Sequence, residues 1–135
     1  MSNIPLNHVA ELTPELWGWV RNGLQAIKER TGERWLPEDI YCALKSKAGH
    51  LYTIGDVGFL IAYQHADTDG PVLFIAQMWT EPGAGRPIER ELYRAIDGLA
   101  ASIKAKRVRM HSPRDAWRTR GYFEAVSTVY ERELT

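Results

Sequence analysis

The chain has 135 residues and a mass of 15.4 kDa, enough for one domain that buries roughly two-thirds of its unfolded surface without a metal or a disulfide. It is 44% hydrophobic and 25% charged, with seventeen Lys and Arg against seventeen Asp and Glu, which excludes intrinsic disorder and denies it the global field of a dedicated nucleic-acid binder. The single cysteine, Cys42, excludes an internal disulfide and a thiolate-rich zinc site, and no apolar run approaches the ~20 residues of a membrane span. The expectation is a soluble, cytoplasmic protein without a secretory leader or a membrane partner.

From Glu11 to Arg30, the residues Leu12, Leu16, Val20, Leu24 and Ile27 recur at spacings of four, four, four and three, which predicts one apolar helical face. Thr13 is placed to cap this helix, and Pro14 sits where a missing N–H costs nothing. A second helix is predicted to open at Pro37, with Glu38 and Asp39 near its positive end, to turn Ile40 and Leu44 inward, and to stop at Gly49. Cys42 in this helix is expected to be a small buried thiol.

The period changes at His50. Leu51–Ile54 and Phe59–Tyr63 flank Gly55-Asp56 as strand, turn and strand, and Asp67–Gly70 supplies turn chemistry before Val72–Trp79. That last run is apolar on both faces, as a strand buried between two layers of helices is. A helix follows, with Ile88, Leu92, Ile96, Leu99 and Ile103 spaced four, four, three and four, and then Arg107–His111 reads as a strand. A strand–helix–strand connection of this size joins parallel neighbours through a right-handed crossover. Ser112–Asp115 resembles a capping box opening a short helix that ends at Gly121, and Tyr122–Arg132 is predicted as a final strand. The fold class is therefore α/β in the α+β sense, one domain over residues 1–135: an antiparallel meander followed by a parallel strand–helix–strand unit, with helices on both faces.

Gly83-Ala84-Gly85 lies between the buried strand and the strongest helix, where free amides and the helix dipole suit an anion such as a phosphate. It reads equally as a plain strand-to-helix turn whose glycines allow positive φ, because the third glycine of a dinucleotide fingerprint and the Lys-Ser/Thr of a P-loop are absent. Lys104, Lys106, Arg107, Arg109, Arg114, Arg118 and Arg120 form a basic segment, Lys104 to Arg120, with Asp115 its only acid. It suits nucleic acid, a phosphorylated cofactor or an acidic partner, or it is a solvated face balanced by nearby acids. His8, His50, His65 and His111 have no spacing that puts two ligands on one helical turn, so no metal site is expected. A Gly-x-Ser-x-Gly elbow is absent, and of the five tryptophans most belong to a core or an interface.

With its meander, glycine loop and strand–helix–strand order, the chain resembles the GNAT superfamily of acyl-CoA N-acyltransferases over nearly its whole length. Met78–Pro82 looks like the end of that family's central fourth strand, Gly83–Arg86 like its pyrophosphate loop, and Ser112 to Gly121-Tyr122-Phe123 like its last helix and Gly-aromatic ending. Trp79–Arg86 together with Ser112-Pro113-Arg114 and Trp117 also resembles small GNAT-like proteins of bacteriophage genomes. The resemblance implies acetyl-CoA or another acyl-CoA as co-substrate and no metal. It places the cofactor on Met78, Trp79, Gly83, Ala84, Gly85 and Arg86, with a strand amide around Met78 or Trp79 for the developing oxyanion and a small-molecule or protein amine as acceptor. The departures are specific. No Arg or Gln stands three residues before Gly83, Trp117 occupies the position of the thiolate-protonating tyrosine, and where a general base is usual there are Gln77, which cannot take a proton, and Glu81, which can. Two functions follow: an N-acetyltransferase, or an inactive interaction or structural protein on the same fold, such as a phage virion or host-takeover component with a protein assembly partner.

Overall fold

The computed structural model describes residues 6–110 and Arg132. In chain order these form β1 (Leu6–His8), α1 (Pro14–Thr31), α2 (Pro37–Lys45), β2 (His50–Ile54), β3 (Gly58–Asp67), β4 (Gly70–Thr80), α3 (Gly85–Ser102) and β5 (Arg107–Met110). The sequence-predicted short helix and final strand, and the basic residues Arg114, Arg118 and Arg120, lie outside the described residues.

Helix α1 starts as its sequence dictates, with Thr13 Oγ1 accepting from the Leu16 N–H at 3.2 Å and Pro14 in the first turn. It buries Val20, Leu24 and Ile27 on one face. Helix α2 buries Ile40 and Leu44 but does not run to Gly49. Ser46 caps it, Lys47 takes a left-handed φ of 68°, and the Gly49 N–H then donates to the Ala43 carbonyl at 3.1 Å. Gly49 is needed for space instead: a Cβ there would stand 2.9 Å from the Tyr63 ring. Cys42 is exposed, not buried. It lies two residues from both inward positions, Ile40 and Leu44, and so on the opposite side of a 3.6-residue turn.

The five strands lie in the order β1-β2-β3-β4-β5. The first four are antiparallel neighbours, and β4 pairs with β5 in parallel through the crossover helix α3. The predicted meander and parallel unit are therefore present, but three expectations need correction. Strand β1 was not anticipated, since Leu6-Asn7-His8 is too short and too polar to show alternation. Helix α3 begins at Gly85, three residues before its periodic stripe. The continuously buried stretch is Gly58–Ala62 of β3, whereas β4 beyond Ile75 is only half-buried.

Two apolar layers flank the sheet. On one face α1 and α2 pack on Leu51, Phe59 and Ile61, with Trp17, Trp19, Trp35 and Trp79 around them. On the other, Leu92, Ile96 and Ala100 of α3 pack on Ile54, Leu60, Ala62, Leu73 and Ile75. The β3–β4 hairpin is tied to β5 by charge. Arg107 grips Asp69 with two parallel bonds of 2.7 and 2.6 Å, and Arg109 donates to Asp67 at 2.9 Å. Two residues of the basic segment are thus engaged in holding the sheet together, a use that the sequence alone did not suggest.

Candidate active site at the end of the fourth strand

Strand β4 changes phase part-way along. Ile61 pairs with Gln77 and Ala62 with Ile75, so Ala76 is an extra residue, a β-bulge. Before it, Leu73 and Ile75 face α3. After it, Met78 faces α3 while Trp79 joins the α1 side, where unbroken alternation would have put Trp79 with Leu73 and Ile75. The parallel pairing of β4 with β5 covers Val72–Ile75, immediately before the bulge, and its continuation falls beyond the described residues.

Past the bulge, the Glu81 N–H donates to the Val57 carbonyl on the β3 side at 2.7 Å. Strand alternation then directs the Trp79 N–H to the same side and the Met78 N–H to the other edge, toward β5. Of the two amides expected at the oxyanion, Trp79's is directed to β3 and only Met78's to the β5 edge, where the neighbouring residues past Met110 fall beyond the described ones. Trp79 contributes its ring, which meets Trp19 edge-on at 5.9 Å and lies 5.7 Å from Phe59.

Glu81 begins a tight turn. Pro82 and Gly83 occupy its centre, Gly83 has φ of 81°, and the Ala84 N–H donates to the Glu81 carbonyl at 2.9 Å. This is type II chemistry, which wants proline first and a positive φ second. Ala84's amide is therefore engaged within the turn. The next residue opens α3. No side chain caps the helix and no acid stands in its first turn. Pro87 has no N–H, so the amides of the first turn without a partner among the described residues are those of Gly85 and Arg86. Gly85 sits against Thr80: a Cβ would be 2.8 Å from the Thr80 hydroxyl. The two glycines thus serve different needs, Gly83 a dihedral angle and Gly85 a close approach.

The exposed Glu81 carboxylate is next to α1, with the Trp19 Nε1–H donating to its Oε1 at 3.4 Å. Nothing in the apolar spacing of α1 marks Trp19 for this contact, because the residue lies one step off the Leu16–Val20 stripe. Gln77, directly across from Ile61, has a buried Oε1 without a hydrogen-bond partner among the described residues. Leaving such an acceptor unpaired costs about 1–3 kcal/mol. Three cavities formed by described residues lie elsewhere, beside β1 and α2, at the β3–β4 hairpin end, and between α3 and β5; none is lined by residues 78–86. Among the described residues no group of three or more His, Cys, Asp or Glu is arranged to hold a metal, and no helix is long and apolar enough to cross a membrane.

A meander followed by a parallel strand through a crossover helix has counterparts among solved structures. A possible acetyltransferase from Clostridium difficile superposes with a TM-score of 0.66 at 15% identity, over 99% of each chain. The fold is that of the GNAT acetyltransferases. A ribosomal-protein-alanine N-acetyltransferase from Brucella melitensis matches with a TM-score of 0.65 at 15% identity, over 88% of this chain and 92% of its own. An aminoglycoside acetyltransferase from an uncultured soil metagenomic sample, in complex with sisomicin, gives 0.68 at 14% identity, over 96% and 95%. No family profile matches the sequence, and no curated protein matches it. At these identities the GNAT likeness is one of fold, so the chemistry has to be argued from the chain's own residues.

Proposed function

We propose that the protein is an N-acetyltransferase that moves an acetyl group from acetyl-CoA to an amine. The observation that carries this reading is the conjunction at β4: the bulge at Ala76, the Met78 amide turned away from β3, and the amides of Gly85 and Arg86 at the uncapped start of α3, one short turn downstream and without partners among the described residues. An uncapped helix start with Gly85 and Arg86 suits a pyrophosphate, since no acid of its own first turn meets its partial positive charge. Gly85 lets the helix start lie against the end of β4, because a Cβ at 85 would press on the Thr80 hydroxyl.

Acetyl-CoA would supply an activated thioester. The Met78 N–H is the donor for the carbonyl oxygen as negative charge gathers on it, a contribution typical of fixed backbone amides. The amine nitrogen bonds to the acetyl carbon, the carbon–sulfur bond breaks, and the sulfur leaves as thiolate. Glu81 accepts the amine's proton, directly or through a water, and Gln77 Oε1 provides a hydrogen-bond acceptor to orient the amine. The acceptor is a small-molecule amine in this reading, in keeping with the aminoglycoside enzyme among the structural neighbours.

The test has two stages. Millimolar CoA or acetyl-CoA should raise the melting temperature, as a ligand that prefers the native state must. With a panel of primary amines, turnover should then fall about 100-fold in Glu81→Gln while the CoA-induced rise stays at its wild-type value. No rise with either compound would remove the enzymatic reading and leave a scaffold that uses the same fold for contacts alone.

A further inference from the structure

Helix α3 carries Arg86, Arg90 and Arg94 at intervals of four, and all three are exposed. A step of four residues rises about 6 Å and keeps the side chains on one side of a helix, so these arginines form a row that leads away from the glycine turn. The row is turned from the sheet. Arg90 and Arg94 lie two residues before and two after the buried Leu92, and so on the far side of a 3.6-residue turn. Asp97, three residues on, ends the run of positive charge.

Charge balance within the fold does not account for these residues. Arg21, Arg107 and Arg109 are held by the carboxylates of Glu38, Asp69 and Asp67, at 2.9, 2.6 and 2.9 Å. Arg86, Arg90 and Arg94 have no ion pair and no side-chain hydrogen bond among the described residues. Helix stability does not call for them either. The first turn of α3 holds no acid, and Arg86 at its second position opposes the positive end of the helix dipole. An anion laid along this face would reverse that cost.

We propose that Arg90, with Arg94 beyond it, binds the 3′-phosphate of coenzyme A, and that this contact selects the phosphorylated donor over its dephospho form. The inference rests on acetyl-CoA as the acyl donor. The pyrophosphate and the 3′-phosphate of coenzyme A are carried on the 5′ and 3′ oxygens of one ribose, so their separation is that of neighbouring phosphates in a nucleic-acid strand, comparable to one step of the row. A pyrophosphate at the Gly85 and Arg86 amides therefore leaves the other phosphate within reach of the next guanidinium. That planar group presents two parallel N–H donors to a phosphate, which adds direction to charge.

The experiment is a calorimetric titration of the full chain with CoA, dephospho-CoA and adenosine 3′,5′-bisphosphate. CoA should bind about tenfold more tightly than dephospho-CoA, and the bisphosphate should bind although it lacks the pantetheine arm. The advantage of CoA should narrow as salt rises. Arg90→Gln should remove most of it and Arg94→Gln a smaller part, with dephospho-CoA binding each variant as it binds the wild type. Arg30→Gln, which deletes an exposed arginine of α1, should keep the advantage in full. Circular dichroism confirms that the variants are folded. Equal affinity of the wild type for CoA and dephospho-CoA, or an advantage that survives Arg90→Gln and Arg94→Gln together, overturns the assignment and leaves acetyl transfer standing. Failure of CoA and dephospho-CoA alike to bind overturns both.

Discussion

The two halves of β4 differ in almost every physical respect. From Val72 to Ile75 the strand has neighbours on both edges, Val72, Leu73 and Ile75 are buried, and the hairpin before it is bolted to β5 by the Arg107–Asp69 and Arg109–Asp67 pairs. From Ala76 onward the register has slipped by one, every residue is only partly buried, and the chain ends in a turn whose amides are shared between structure and solvent. One half is arranged to be stable. The other leaves the Gln77 Oε1 without a partner among the described residues, and it is here that the proposed site lies.

The contrast can be broken first in the stable half. Ile75→Ala removes a fully buried side chain facing α3 and should cost about 3 kcal/mol in denaturant titrations, without weakening CoA binding by the molecules that remain folded. Equal losses of stability and affinity would show that the two halves are not independent.

A smaller change sharpens the other half. Gly85→Ala places a methyl against the Thr80 hydroxyl and should cost about 1 kcal/mol, with CoA binding weakened about tenfold. Thr80→Ala in the same chain should restore most of both, because the hydroxyl is the only atom a Cβ would meet closely. An additive double variant would remove the close approach as the reason for this glycine.

The mildest effect belongs to the ion pairs. Hydrogen bonding from Arg107 holds the Asp69 carboxyl below its usual value of 3.8, and Arg21 lowers Glu38 likewise. A depressed folded pKa contributes stability that is complete above the unfolded value and is lost as pH falls through the folded one. Urea midpoints should therefore decline below about pH 4. Asp69→Asn should flatten that decline and leave the midpoint at pH 7 little changed, since exposed pairs are screened. A steeper decline in the variant would contradict the assignment.

Much of this architecture was legible from periodicity alone. The stripes of α1 and α3, the Thr13 cap and the meander are all present, although Leu12 lies just before α1 and Ile103 just after α3. The Ala76 bulge was not legible, because a run apolar on both faces looks the same whichever way its phase points, and one inserted residue leaves no trace in composition. Strand β1 was missed for want of length. The Glu81–Trp19 contact and the His8–His50 hydrogen bond were missed because sixty-two and forty-two residues separate the partners, and only pairing brings them together. The turn at Gly83 was readable as a turn; that it would use Ala84's amide required coordinates.

The outward placement of Cys42 has a practical corollary. As the sole thiol of the sequence, on the side of α2 away from Ile40 and Leu44, it accepts a maleimide dye or spin label at one defined point without disturbing the core and without first removing competing cysteines. The same exposure makes it the one covalent route by which two copies could become joined in air-oxidised preparations, so a reductant-sensitive doublet on a gel would report chemistry at this helix, not assembly.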